Sequence, residues 1–112
     1  MSSINRDFQD KVVITLLNDV TTNQQSATFP IPIGTGTLEA FINGTGAVAG
    51  TINIYGCNTK RSTNGILLAT ISLSGTNSDQ VGSILTTNWG YIYAVLSGIS
   101  GTSAKVTLSL GV

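Results

Sequence analysis

The chain has no histidine and one cysteine among its 112 residues. Without histidine it lacks the commonest general base at neutral pH and a common metal ligand. Cys57 alone closes no internal disulfide and builds no thiolate zinc cluster. It ends the run TINIYGC and reads as a small hydrophobe at a strand end, with no histidine to activate it as a nucleophile. Charge is scarce too: 9% of residues, five basic against five acidic, for a formal net charge of zero. An average soluble domain carries about 25%. With so few lysines and arginines, nothing clusters to neutralise phosphates, so nucleic acid is excluded as a partner. No apolar run approaches the roughly 20 residues of a membrane-spanning helix. The opening MSSINRDFQDK carries Arg6, Asp7, Asp10 and Lys11 and does not read as a secretory signal, so synthesis in a cytoplasm is expected.

The familiar catalytic and nucleotide-binding patterns are missing as well. The glycines of GTGTLEAFINGTG open no helix, and no GKS or GKT follows them, so they form no phosphate loop. No Gly-x-Ser-x-Gly elbow occurs. The carboxylates Asp7, Asp10, Asp19, Glu39 and Asp79 are scattered, and Asp19 and Asp79 fall in expected turns, where Asp is favoured for local hydrogen bonding. Asn43 begins an N-G-T glycosylation pattern, discounted because no secretion signal precedes it. The expectation is a protein that is not an enzyme and has no cofactor or metal. Its surface must be built from Thr, Ser, Asn, Gln and Gly. Such a surface carries little charge to hold copies apart, which favours life in an assembly.

What the chain does have is strand and turn grammar. One domain is expected over residues 11–112, behind a short extended arm over 1–10. KVVITLLNDV (11–20) is β-branched and apolar on both faces, as in a covered strand closed by Asn18-Asp19. Pro30 and Pro32 suit an edge or an extended connection. GTLEAFIN (36–43) alternates, with Leu38, Ala40 and Ile42 on one face and Thr37, Glu39 and Phe41 on the other. Gly44-Thr45-Gly46 reads as a turn leading into AVAGTINIYGC, which would pair with the preceding strand as a hairpin. NTKRSTNG (58–65) is a polar loop whose Lys60-Arg61 pair reads as a solvated tip. ILLATISLS (66–74) is a strand with Leu67, Ala69, Ile71 and Leu73 on one face. GTNSD is a turn, and VGSILTT (81–87) a shorter strand. The closing WGYIYAVLSGISGTSAKVTLSLGV (89–112) reads as a β-hairpin around a Gly/Ser/Thr turn, with Val106, Leu108 and Leu110 in the core. About seven or eight strands at this spacing predict an all-β fold, an antiparallel jelly-roll-like β-sandwich.

Four aromatic residues are the candidate interaction site: Trp89, Tyr91, Tyr93 and Tyr55. Tyr91 and Tyr93 share one strand face. Rings arranged in this way serve a core or subunit interface, or a platform on which a sugar stacks.

Three segments carry a family resemblance: VVITLLNDVTTN with FPIPIGTGTLEAFINGT, then GTINIYGCNTKRSTNGILLATIS, then the closing WGYIYAVLSGISGTSAKVTLSLGV. Together they resemble small β-sandwich virion proteins of tailed bacteriophages, of the capsid decoration or cement type. These share a VTLLNxVT opening, a GTxTLxAxxxGT strand, and a GYxxAxxSG strand before the last one. The likeness runs from about Val12 to the end. Tail-fibre and head-fibre domains share the same grammar. Many such chains bear an acidic residue or an arginine on the aromatic strand; here the positions are Tyr93-Ala94-Val95. The resemblance implies a non-enzymatic protein on the outer surface of an assembled capsid. It would bind the major capsid protein, most often as a homotrimer. The alternative it implies is a receptor- or carbohydrate-binding module of a head or tail fibre.

Overall fold

The computed structural model describes residues 13–32 and 34–112; the arm expected over 1–10 lies outside them. The described residues are all-β and antiparallel. Six strands form one hydrogen-bonded sheet: β1 (Val13–Val20), β2 (Gln24–Gln25), β3 (Phe29–Pro30), β4 (Gly34–Cys57), β5 (Ile66–Thr87) and β6 (Tyr91–Gly111). The order is β1-β6-β4-β5, and β2 and β3 add to β6 further along its length.

Three segments expected as turns lie inside continuous strands. Gly44–Gly46 is within β4, GTNSD is within β5, and the turn of the supposed closing hairpin is within β6. The two halves of β4 do not pair with each other; both pair with β5 on one side and β6 on the other. The register slips between Asn43 and Ala47 against β5, and between Asn43 and Thr51 against β6, so the interruptions are bulges. Positive φ at Gly46, Asn77, Gly98, Gly101 and Ser103 marks them. A bulge and a tight turn both need backbone in that region, and Gly and Asn supply it in either case. Side chains hold the bulges: Asn77 Oδ1 accepts from Gly46 N at 2.8 Å, and Asp79 Oδ2 accepts from Ser74 N at 2.9 Å.

The long strands are strongly bent at these bulges. Thr87 pairs with Gly34 at one end of β4, while Tyr91 pairs with Cys57 at the other. The four steps from Thr87 to Tyr91 reach at most about 14 Å. The two ends of β4 are therefore close, although a straight strand of its 24 residues would run about 80 Å. The longest dimension given by the structure is 46 Å, well short of that.

The core lies on the inner side of the bend. Leu38, Ala40 and Ile42 from the first half of β4, Val48, Ile52 and Ile54 from the second, and Val106, Leu108 and Leu110 from β6 are all buried. Thr37, Glu39 and Phe41 face outward, as the alternation predicts. β1 begins at Val13 in the described residues, and its end is displaced to Val20, with Asp19 held at positive φ against the Thr107 hydroxyl. One expected face of 66–74 is broken. Ile71 and Leu73 are buried, but Leu67 is 53% exposed. Ile54 pairs with Ala69 while Tyr55 pairs with Leu67, so Leu68 is an extra residue that turns Leu67 to the other side.

Candidate functional site

The four aromatic residues occupy two different settings. Tyr55 on β4 and Tyr93 on β6 are register partners, so their side chains rise from the same sheet face. Their rings stack at 5.2 Å between centroids with an 18° interplanar angle. Loop 58–65 closes over them. Gly65 N donates to Tyr93 Oη at 3.0 Å, and a Cβ at Gly65 would meet Tyr55 Cβ at 2.8 Å. Tyr93 is left only 4% exposed by its own chain, while Tyr55 is half-buried. Together with Gln25, Val95 and loop residues 62–65 they line a shallow hollow of about 310 Å³. Trp89 stands elsewhere, in the connection from β5 to β6, with its ring over Gly56: a Cβ there would meet Trp89 Cγ at 2.8 Å. Tyr91 is half-buried at the start of β6, paired with Cys57 and Pro30.

The loop holds itself. Arg61 is spent on its own neighbours: Nη1 donates to Thr59 Oγ1 at 2.9 Å, Nε to the Thr63 carbonyl at 3.1 Å, and Nη2 to the Asn64 carbonyl at 3.3 Å. Gln25 Nε2 and Thr28 Oγ1 tie the loop to the strands through the Ser62 and Arg61 carbonyls. Cys57 is fully buried beneath it, its thiol 3.8 Å from the Arg61 carbonyl. Tyr93→Phe removes the acceptor of Gly65 N. It is expected to lower stability by about 1 kcal/mol, seen as a shift of the urea midpoint with an unchanged slope.

A second surface involves none of the four aromatic residues. On the outward face of the first half of the sheet, a groove of about 780 Å³ runs from Val13 on β1 across β6 and β4 to Ile84 on β5. Val13 is 61% and Ile84 71% exposed, and Phe41 on the same face 37%. Glu39 is the one charged residue lining the groove. Its floor is open because Gly82 and Gly111 carry no side chain. The alternation already set Thr37, Glu39 and Phe41 outward. What the sequence hid was the register that brings Val13 and Ile84 into line with them.

Among the described residues no group of three or more His, Cys, Asp or Glu is placed to hold a metal. Asp79 accepts from two nearby backbone amides, Ser74 N and Gln80 N, while Asp19 Oδ1 accepts from the Thr107 hydroxyl across the β1–β6 pair, so both carboxylates serve the sheet. No protein-family model matches the chain, and no curated protein is similar enough to count as a relative.

Proposed function

We propose that this chain is a non-enzymatic virion protein that binds the outer surface of an assembled phage capsid and stabilises it. The observation that carries the reading is the outward face around the groove: broad, rich in Thr and Ser, nearly uncharged, and bearing exposed Val13, Phe41 and Ile84. Such a face suits a large protein surface better than a small polar substrate. The partner in this proposal is the major capsid protein, and the site of action is the capsid exterior after synthesis in the host cytoplasm. A protein that binds only the assembled lattice stabilises it by mass action, as a ligand stabilises the state it binds. A homotrimer adds avidity by attaching several weak contacts at once. The proposal includes a jelly-roll-like sandwich: β1 and the halves of β4, β5 and β6 make seven segments, and the bends lay the halves face to face around the shared core.

The fibre-module alternative rests on the hollow beside Tyr55, where a half-exposed ring is available for a sugar to stack on. Retention on purified capsids separates the two. The chain is expected to co-sediment with assembled shells at a fixed copy number by quantitative mass spectrometry, and to raise their melting temperature. Failure to bind shells, together with hits on a glycan array that Tyr55→Ala abolishes, would establish the alternative.

A further inference from the structure

The two edges of the sheet match each other. Val13 pairs with Gly111, Gly111 with Thr37, and Thr37 with Ile84, so one row crosses β1, β6, β4 and β5. Its two ends are the most exposed large hydrophobic side chains of the described residues, 61% for Val13 and 71% for Ile84. The next outward row is Thr15, Ser109, Glu39 and Gly82, and nothing but the Leu38 carbonyl, at 3.9 Å, approaches a Cβ built at Gly82. Among the described residues neither β1 nor β5 has a strand partner on its outer side. β5 carries no proline and only one charged residue, Asp79. Beyond the bulge at Asn77, its second half therefore lacks most of the usual guards of an open edge. Every neighbouring pair in the order is antiparallel, so β5 runs opposite to β1.

We propose that copies of this chain join edge to edge, the second half of β5 of one copy pairing antiparallel with β1 of the next. In that join the sheet continues across the boundary with its alternation of direction preserved. Ile84 of one copy lies beside Val13 of the next, and Gly82 leaves room beside Thr15. Zero net charge sets no long-range repulsion against it. A twofold pairing of β5 with β5 would leave Val13 exposed in both copies. The join is heterologous, so it closes into a ring or continues as a filament. The inference does not require the capsid reading; a ring of three is the form that reading calls for.

Cysteine cross-linking tests the join. Within one chain positions 13 and 84 are separated by three strand spacings, about 14 Å, too far for a disulfide. Across the proposed join they are direct neighbours at about 4.5–5.5 Å between Cα atoms, within disulfide range. Oxidising a mixture of Val13→Cys and Ile84→Cys chains is expected to give a heterodimer, while wild type, whose Cys57 is buried, gives none. Ile84→Lys is expected to reduce the wild-type mass, measured by light scattering, to that of one chain with the thermal transition retained. The inference is overturned if no heterodimer forms, if Ile84→Cys alone cross-links to itself as readily, or if wild type is monomeric. The doubly substituted chain then reports the symmetry. A product that stops at three chains supports the ring. One that runs on supports the join and removes the trimer from the capsid reading.

Discussion

Gly101→Ala is expected to destabilise the chain by about 3–5 kcal/mol, from left-handed backbone strain together with overpacking. Gly101 sits in the β6 bulge at φ +117°, a conformation that an L side chain adopts only at a cost. An added Cβ would meet Val48 Cγ1 at 2.7 Å and the Ala47 carbonyl oxygen at 2.8 Å. The carbonyl belongs to the β4 bulge and cannot swing aside as a side chain would, so relief means shifting the bend itself. Chemical denaturation measures the loss. The control is Gly98→Ala, also at positive φ but with nothing within 4 Å of its Cβ, which bears the strain without the overlap. A Gly101→Ala cost no larger than the Gly98→Ala cost would show that the two bulges are not in contact.

Ile52→Ala is expected to cost about 2–5 kcal/mol, the range for removing a buried aliphatic side chain where the surroundings collapse only in part. Ile52 is fully buried on the central strand, with Ile71 on one side and Leu96 on the other as register partners. Both neighbours are themselves buried, so no flexible surface chain is at hand to fill the void. A chain of this size is held by about 5–15 kcal/mol, so the loss should appear as a large drop in the denaturation midpoint. Val13→Ala, exposed on the β1 edge, should move the midpoint of the monomeric Ile84→Lys background scarcely at all. A midpoint for Ile52→Ala within error of wild type would mean that the inner face is not close-packed.

Legibility in the sequence varied with the range of the interaction. The alternation of Leu38, Ala40 and Ile42, of Ile52 and Ile54, and of Val106, Leu108 and Leu110 marked the buried face correctly, because a strand's period of two is a local property. The closing segment is one bulged strand instead of the expected hairpin for a related reason. Gly98, Gly101 and Ser103 announce positive φ, but a hairpin and a bulged strand ask for the same residues. Which one forms depends on whether a third strand is present to pair with both halves, and β4 is that strand. The same holds at Gly44–Gly46. The aromatic residues were recognisable as special, yet their grouping was not. Tyr55 and Tyr93 are 38 positions apart in the chain and meet only through the β4–β6 register. Trp89, two residues from Tyr91, is set apart by the connection in which it lies.

By itself the sequence determined the class: an all-β, antiparallel protein with few charges, no histidine and a single cysteine. Composition and period-two patterning settle those points because they are sums over single residues and near neighbours. The tertiary structure alone decided that three supposed turns are bends in long strands, that Tyr93 is covered by its own loop, and that Val13 and Ile84 end one row across the sheet. Each of these is a matter of register between distant segments. Register follows from burying the inner face of the whole sheet at once, and no local stretch of this chain contains that condition.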